Sequence, residues 1–215
     1  SMGEGGDATS INLPPCQEQF LREAAKLGTP LIAVHLDGRP ISSDAADSCC
    51  AGILECWSPG ETGAQAIGDV LLGDYNPGGK LPVSIAYNAG QVPVYYGHPW
   101  GSCWHQSESI GFPDYVDCPH KPRYPFGFGL SYTQFSYEDL TLSQSSVDAG
   151  ESLEVAFTVK NTGSLEGDEV VQIYVSDVYA SRTRPVKELA GFARIHLEAG
   201  EARRLTFSLN TSQLA

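Results

Sequence analysis

Two runs of glycine, proline and aromatic residues constrain this chain more than any other feature. The first is Gly73-Asp74-Tyr75-Asn76-Pro77-Gly78-Gly79-Lys80-Leu81-Pro82, and the second is Tyr124-Pro125-Phe126-Gly127-Phe128-Gly129-Leu130-Ser131-Tyr132. Proline fixes φ and removes a donor, and glycine opens conformations closed to other residues. Runs so dense in both cannot continue a helix or a central strand. They divide the chain into a front part, a long middle arm and a back part. Asp74 to Gly79 is expected to form a rigid turn leading into an edge strand near 83–86.

The front part alternates strand and helix. Phe20, Leu21, Ala24 and Leu27 share one face of a helix predicted over 17–27, which Gly28 stops. The apolar segment 31–36, between Pro30 and Asp37-Gly38, suits a buried parallel strand. A short helical turn is expected over 44–49, a second strand over 52–57, and a second helix over 61–72. That helix has Ala64, Ile67, Val70 and Leu71 inward and Glu61 as its cap. This order indicates an α/β layer with a parallel sheet and flanking helices. The back part changes period. Leu153, Val155, Phe157 and Val159 alternate with polar residues, as do Val171, Ile173 and Val175, and Leu205, Phe207 and Leu209. Turn signals at Asp148-Ala149-Gly150, Asn161-Thr162-Gly163 and Glu198-Ala199-Gly200 separate them. This is the pattern of an antiparallel, immunoglobulin-like β-sandwich, about half of one.

Composition excludes several functions. The 215 residues are 41% hydrophobic and 18% charged, which describes a globular chain. A net charge of −13 with scattered Lys and Arg argues against a nucleic-acid or anionic-membrane partner. No apolar run approaches the roughly 18 residues of a membrane span. No secretory signal opens the sequence, and Ser1-Met2 reads as the start of an internal segment. The six cysteines, Cys16, Cys49, Cys50, Cys56, Cys103 and Cys118, form no Cys-x-x-Cys pair. Free thiols in a reducing, cytoplasmic compartment are expected, with a Cys103–Cys118 disulfide as the alternative. His35, His98, His105, His120 and His196 show no ligand spacing along the chain, so neither metal nor cofactor is expected.

Five landmarks in order carry a resemblance over nearly the whole chain. They are Leu36-Asp37-Gly38-Arg39-Pro40, Trp57-Ser58-Pro59-Gly60-Glu61-Thr62-Gly63, the two runs above, and Lys160-Asn161-Thr162-Gly163. Together they resemble the C-terminal part of glycoside hydrolase family 3 β-glycosidases. The resemblance implies a partial α/β-sandwich domain with its arm over residues 1–134 and a fibronectin type III-like sandwich over 135–215. The two or three countable parallel strands and the half sandwich are fewer than such modules usually hold, so further strands are expected beyond both ends of this sequence. The activity implied is retaining, exo-acting hydrolysis of terminal β-D-glycosides, β-glucosidase-like. The nucleophilic Asp would lie on a (β/α)-barrel domain outside this chain, making that barrel and a β-linked glycoside the expected partners.

Gly3-Glu4-Gly5-Gly6-Asp7 resembles the family's acid/base loop, which maps Glu4 to the general acid/base. Ala8 stands where relatives often carry Arg. Asp7 either orients this loop or turns it as an Asx residue. Trp57 is either a stacking platform for a pyranose or core packing beside the sheet. The aromatic cluster at 100–105, including Trp104, either lines the entrance or packs the arm. With one carboxyl of the pair elsewhere, this chain alone is expected to be inactive. An open sandwich edge would favour association, homo-oligomers included. The rival readings are a non-catalytic carbohydrate-binding module and a protein-interaction module.

Overall fold

The computed structural model describes residues 5, 6, 8–99 and 115–214. The front part contains helix α1 (Pro15–Ala25), strand β1 (Leu31–His35), helix α2 (Asp44–Cys49), strand β2 (Cys50–Glu55) and helix α3 (Gly63–Leu72). β1 and β2 pair in parallel, with His35 opposite Glu55. The parallel α/β layer is therefore as expected, with each helix within a few residues of its predicted place. Pro15 occupies the first turn of α1, where its missing N–H costs nothing. Ser43 caps α2, its hydroxyl accepting from the Ala46 N–H at 2.9 Å. α3 ends at Gly73, in the left-handed conformation with φ 86°.

Three expectations for the helices need correction. Phe20 and Leu27 are 69% and 80% exposed, so the predicted inner face of α1 is uncovered apart from the half-buried Leu21 and Ala24. Ala64 and Leu71 of α3 are exposed as well. Periodicity identifies which stripe is apolar, but the described residues supply little to cover it. Glu61 is not the cap of α3. Thr62 holds the N-cap position, without a side-chain bond.

The back part is a sandwich of two antiparallel sheets. One contains β3 (Phe135–Leu142), β4 (Ser152–Asn161) and β7 (Ala202–Asn210) in the order β3-β4-β7. The other pairs β5 (Gly167–Val175) with β6 (Glu188–Leu197). The predicted alternating residues meet in the core: Val155, Phe157 and Val159 face Val171, Ile173, Ile195 and Leu197, with Leu205, Phe207 and Leu209 packed alongside. β6 has no place among the alternating runs above, because Gly191 and Ala193 break the apolar pattern on its inner face. The space beside Gly191 is taken by the Phe207 ring, which would lie 3.4 Å from an added Cβ. The rings of Phe157 and Phe207 lie 6.0 Å apart and nearly parallel. Phe157→Ala should therefore cost about 3–5 kcal/mol, by lost burial plus the cavity left behind. A denaturant melt followed by circular dichroism checks this, and a change under 1 kcal/mol would contradict the packing.

The two punctuated runs lie against each other. The Leu81 N–H donates to the Phe128 carbonyl, and the Gly127 N–H to the Leu81 carbonyl, both at 2.8 Å. Lys80 Nζ donates to the Gly129 carbonyl at 2.9 Å and pairs with buried Glu169 of β5 at 3.1 Å. Asn76 Oδ1 accepts from Ser131 Oγ and the Tyr132 N–H, while its Nδ2 donates to the Glu166 carbonyl at 2.8 Å. The run at 73–82 thus leads into a clasp, not a strand. Near 83–86 there is, among the described residues, only a single bridge, between Ile85 and Tyr124. The clasp ties the front part to the sandwich. Inside the sandwich, fully buried Asn161 extends the fastening. It accepts from Thr133 Oγ1 at 2.7 Å and donates to the Leu165 and Leu197 carbonyls.

Candidate active site

Ligands of open parallel sheets bind beyond the carboxyl ends of the strands. Here those ends carry Leu36-Asp37-Gly38-Arg39-Pro40 after β1 and Cys56-Trp57-Ser58 after β2. The strand ladder continues one step, with the Cys56 N–H donating to the His35 carbonyl at 3.0 Å. The Asp37 N–H then donates to the Trp57 carbonyl at 3.1 Å, and the Trp57 N–H to Glu55 Oε1 at 3.1 Å. Trp57 adopts φ 50°, a left-handed conformation unusual for a bulky residue. Its side chain is half-buried. Such an outlier persists only where its surroundings over-determine it, which is common at functional sites.

Arg39 joins these strand ends to the start of the described chain. Its guanidinium donates to the Ala8 carbonyl at 3.1 Å and to the Ser10 carbonyl at 3.0 Å. The next residues are fastened by backbone: Ser42 N–H to the Ile11 carbonyl at 2.9 Å, and Leu13 N–H to the Ser42 carbonyl at 3.0 Å. Asn12 Nδ2 and Ser42 Oγ both donate to the Tyr87 carbonyl, at 3.1 and 2.9 Å. Arg123 of the arm lies 4.3 Å over the Tyr87 ring and forms ion pairs with Asp44 and Asp47. Burial alone would lower the Arg123 pKa, but its bonds to these two carboxylates raise it overall. The segment from Ala8 to Leu13 is therefore tethered to the residues that follow β1.

Glu4 and Asp7 lie outside the described residues, as do Cys103 and the aromatic cluster at 100–105. Gly5, between Glu4 and Asp7, has φ 72°. Trp57 is placed at the strand ends, two residues' reach from Arg39 through the Asp37 bond. Cys118 is a free thiol that accepts from Asn88 Nδ2 at 3.6 Å.

The sequence reading missed two features here. One is Arg39, which it quoted only as part of a landmark. The second is a cavity of about 640 Å³ beside Arg39, lined among others by Pro40, Val83, Tyr95, Tyr96 and Lys187. It lies where the arm meets the sandwich. The Tyr96 and Phe126 rings stack at 4.3 Å, and Tyr96 Oη accepts from the Leu189 N–H at 3.3 Å. No sequence signal announces a cavity built from segments so far apart. Lys187 and Pro185 belong to the sandwich, Arg39 to the front part and Val83 to the arm.

Comparison with known proteins places these features in a family. The profile of the Glycosyl hydrolase family 3 C-terminal domain matches residues 1–132, and that of the Fibronectin type III-like domain matches residues 169–215. The chain is 40% identical over 213 residues to the periplasmic β-glucosidase of Salmonella typhimurium, covering 98% of this chain and 28% of that protein. It is 40% identical over 214 residues to a β-xylosidase of Formosa agariphila, covering 99% and 29%. The crystal structure of the β-glucosidase from Listeria innocua in complex with glucose matches with a TM-score of 0.90 and 37% identity, covering 97% of this chain and 29% of that one. The chain spans less than a third of the length of these relatives.

Proposed function

The chain belongs to glycoside hydrolase family 3, and from that premise we propose that it supplies one side of the active site of a retaining exo-β-glycosidase. In this reading Glu4 is the general acid/base. It protonates the leaving glycosidic oxygen, then deprotonates the water that releases the sugar. The nucleophilic Asp comes from a barrel domain outside this chain, held so that the two carboxyls stand about 5–5.5 Å apart. Trp57 stacks on the sugar, and Asp7 orients the loop. The modules divide at 134/135, a boundary supported by the start of β3 at Phe135. Relatives include a β-glucosidase and a β-xylosidase; in this reading residues of the barrel choose between the two sugars.

The observation that carries the proposal is the forked grip of Arg39 on the Ala8 and Ser10 carbonyls. It fastens the segment that follows the Glu4 loop to the turn after β1, which supports this reading. A flexible glycine-flanked loop gains catalytic value only if its base is fixed, since displacement of about 1 Å can cost 10²-fold in rate.

The test is hydrolysis of a chromogenic β-glucoside by this chain alone and mixed with the matching barrel domain. Activity only in the mixture is expected. Activity of the chain alone would mean that both carboxyls reside here, and would overturn the division of the site. In the assembled enzyme, Arg39→Ala should lower kcat/KM by roughly 10–10²-fold through misplacement of the loop. Arg39→Lys should recover little, because an ammonium lacks the planar fork. Full activity in both variants would remove Arg39 from the site.

The free thiols Cys16, Cys49, Cys50, Cys56 and Cys118 support a reducing, cytoplasmic setting for this chain. The Salmonella typhimurium relative is named for the periplasm, which supports a secreted parent as the alternative. Among the described residues no helix is long and apolar enough to cross a membrane.

A further inference from the structure

His35, Asp37 and Glu55 converge at the carboxyl ends of β1 and β2 for a local reason. His35 and Glu55 are partners in a parallel register, so their side chains leave the same face of the sheet. Asp37 follows His35 by two residues and returns to that face. His35 Nδ1 lies 3.3 Å from Glu55 Oε2, with the two side chains 11% and 13% exposed. One ligand atom from each of the three residues lies within 4.8 Å of the others.

One oxygen of this cluster, Asp37 Oδ1, is buried without a hydrogen-bond partner among the described residues. Asp37 is 8% exposed. Buried polar atoms are seldom left unsatisfied, and each exception calls for an explanation such as an ion. The local field points the same way. Burial, then the charge of Glu55, pushes the Asp37 carboxyl above its usual range. Burial, then Glu55 and Asp37, pushes the Cys56 thiol up. The cation beside them, Arg39, is directed at the Ala8 and Ser10 carbonyls.

We infer that His35, Asp37 and Glu55 bind a divalent transition-metal ion, with Zn2+ the best match to one imidazole and two carboxylates. Two ligand atoms on one tetrahedral Zn2+ stand about 3.4 Å apart, given bonds of about 2.0–2.2 Å. The 3.3 Å between His35 and Glu55 is already that spacing. Imidazole disfavours Mg2+ and Ca2+, which take all-oxygen shells. Three protein ligands leave a fourth position for water. A metal ion needs a free lone pair on the imidazole and ionised carboxylates, so acid should weaken its binding. The ion would pin the Asp37-Gly38-Arg39 turn on which the grip of Arg39 depends. The inference stands independently of the glycosidase reading.

Titration calorimetry of the chelator-treated chain with zinc chloride tests it. One ion per chain is expected, with affinity weakened roughly tenfold or more in both His35→Ala and Asp37→Asn. His196→Ala, in the exposed Glu166, His196 and Glu198 cluster, should leave it unchanged. Zn2+ should raise the Tm of the unaltered chain but not that of Asp37→Asn. Should either variant fail to fold, cobalt(II) loading of the unaltered chain supplies the readout. Visible absorption of a four- or five-coordinate site is expected, and only octahedral, solvent-like cobalt would overturn the inference. Absence of saturable Zn2+ binding, or binding abolished by His196→Ala alone, would overturn it too.

Discussion

Glu4→Gln in the assembled enzyme should lower kcat/KM for an alkyl β-glycoside by roughly 10²–10⁴-fold, the usual worth of a positioned acid/base. The amide keeps the shape of the side chain and removes its proton chemistry. A substrate with an activated leaving group, such as a dinitrophenolate, does not need protonation in the first step. Its kcat/KM should fall far less, while its kcat collapses because water is no longer deprotonated in the second step. A pre-steady-state burst of the phenolate is then expected. Added azide, a nucleophile that needs no base, should restore turnover and yield a β-glycosyl azide. The acid limb of the pH–rate profile reports ionisation of the nucleophile and the alkaline limb deprotonation of the acid/base, so the alkaline limb should vanish in the variant. An equal loss for both substrates without azide rescue would assign the acid/base role to another residue.

Gly129→Ala should unfasten the clasp between the two halves of the chain. An added Cβ would overlap the Gly79 carbonyl oxygen and lie 3.1 Å from Lys80 Cδ. Backbone cannot yield as a flexible side chain does, so the cost should be about 1–3 kcal/mol or more. The Leu81–Phe128 and Gly127–Leu81 bonds lie within two residues and would be strained together. Gly78→Ala probes the other side of the clasp, since its Cβ would stand 2.6 Å from the Asp168 carbonyl oxygen. Gly68→Ala in α3 is the control. Nothing lies within 4 Å of its Cβ, so it should stabilise the chain by roughly 0.5–1 kcal/mol. Thermal melts of the three variants give the comparison. Similar Tm values for Gly129→Ala and the unaltered chain would mean that the runs are not in contact in solution.

Much of the fold was legible in the sequence, because period and punctuation are local properties. The two-residue alternation of Val155, Phe157 and Val159 needs only the pleat of a strand to become a buried face. Gly73 ends α3 in a conformation few other residues adopt, whereas α1 stops at Ala25 and the left-handed Gly28 comes three residues later. The ordered motifs likewise pointed to the family. Other features depended on partners distant in sequence. Phe20 and Leu27 form an apolar stripe by pattern, yet they are exposed, since burial depends on what packs against them. β6 escaped notice because its inner face uses glycine where the Phe207 ring fills the space. Arg39 looked like one letter of a motif until its guanidinium was found on two carbonyls some thirty residues back in the sequence.

The absence of metal-ligand spacing among the histidines was an argument along the chain. His35, Asp37 and Glu55 become neighbours across a parallel pair, where register and not spacing sets proximity. By itself the sequence determined the element types, the core alternation and the motif resemblance, since each rests on residues within a few positions of one another. The tertiary structure alone decided the clasp, the grip of Arg39 and the carboxylate–histidine cluster. Those contacts join residues that only the folded backbone brings within hydrogen-bonding distance.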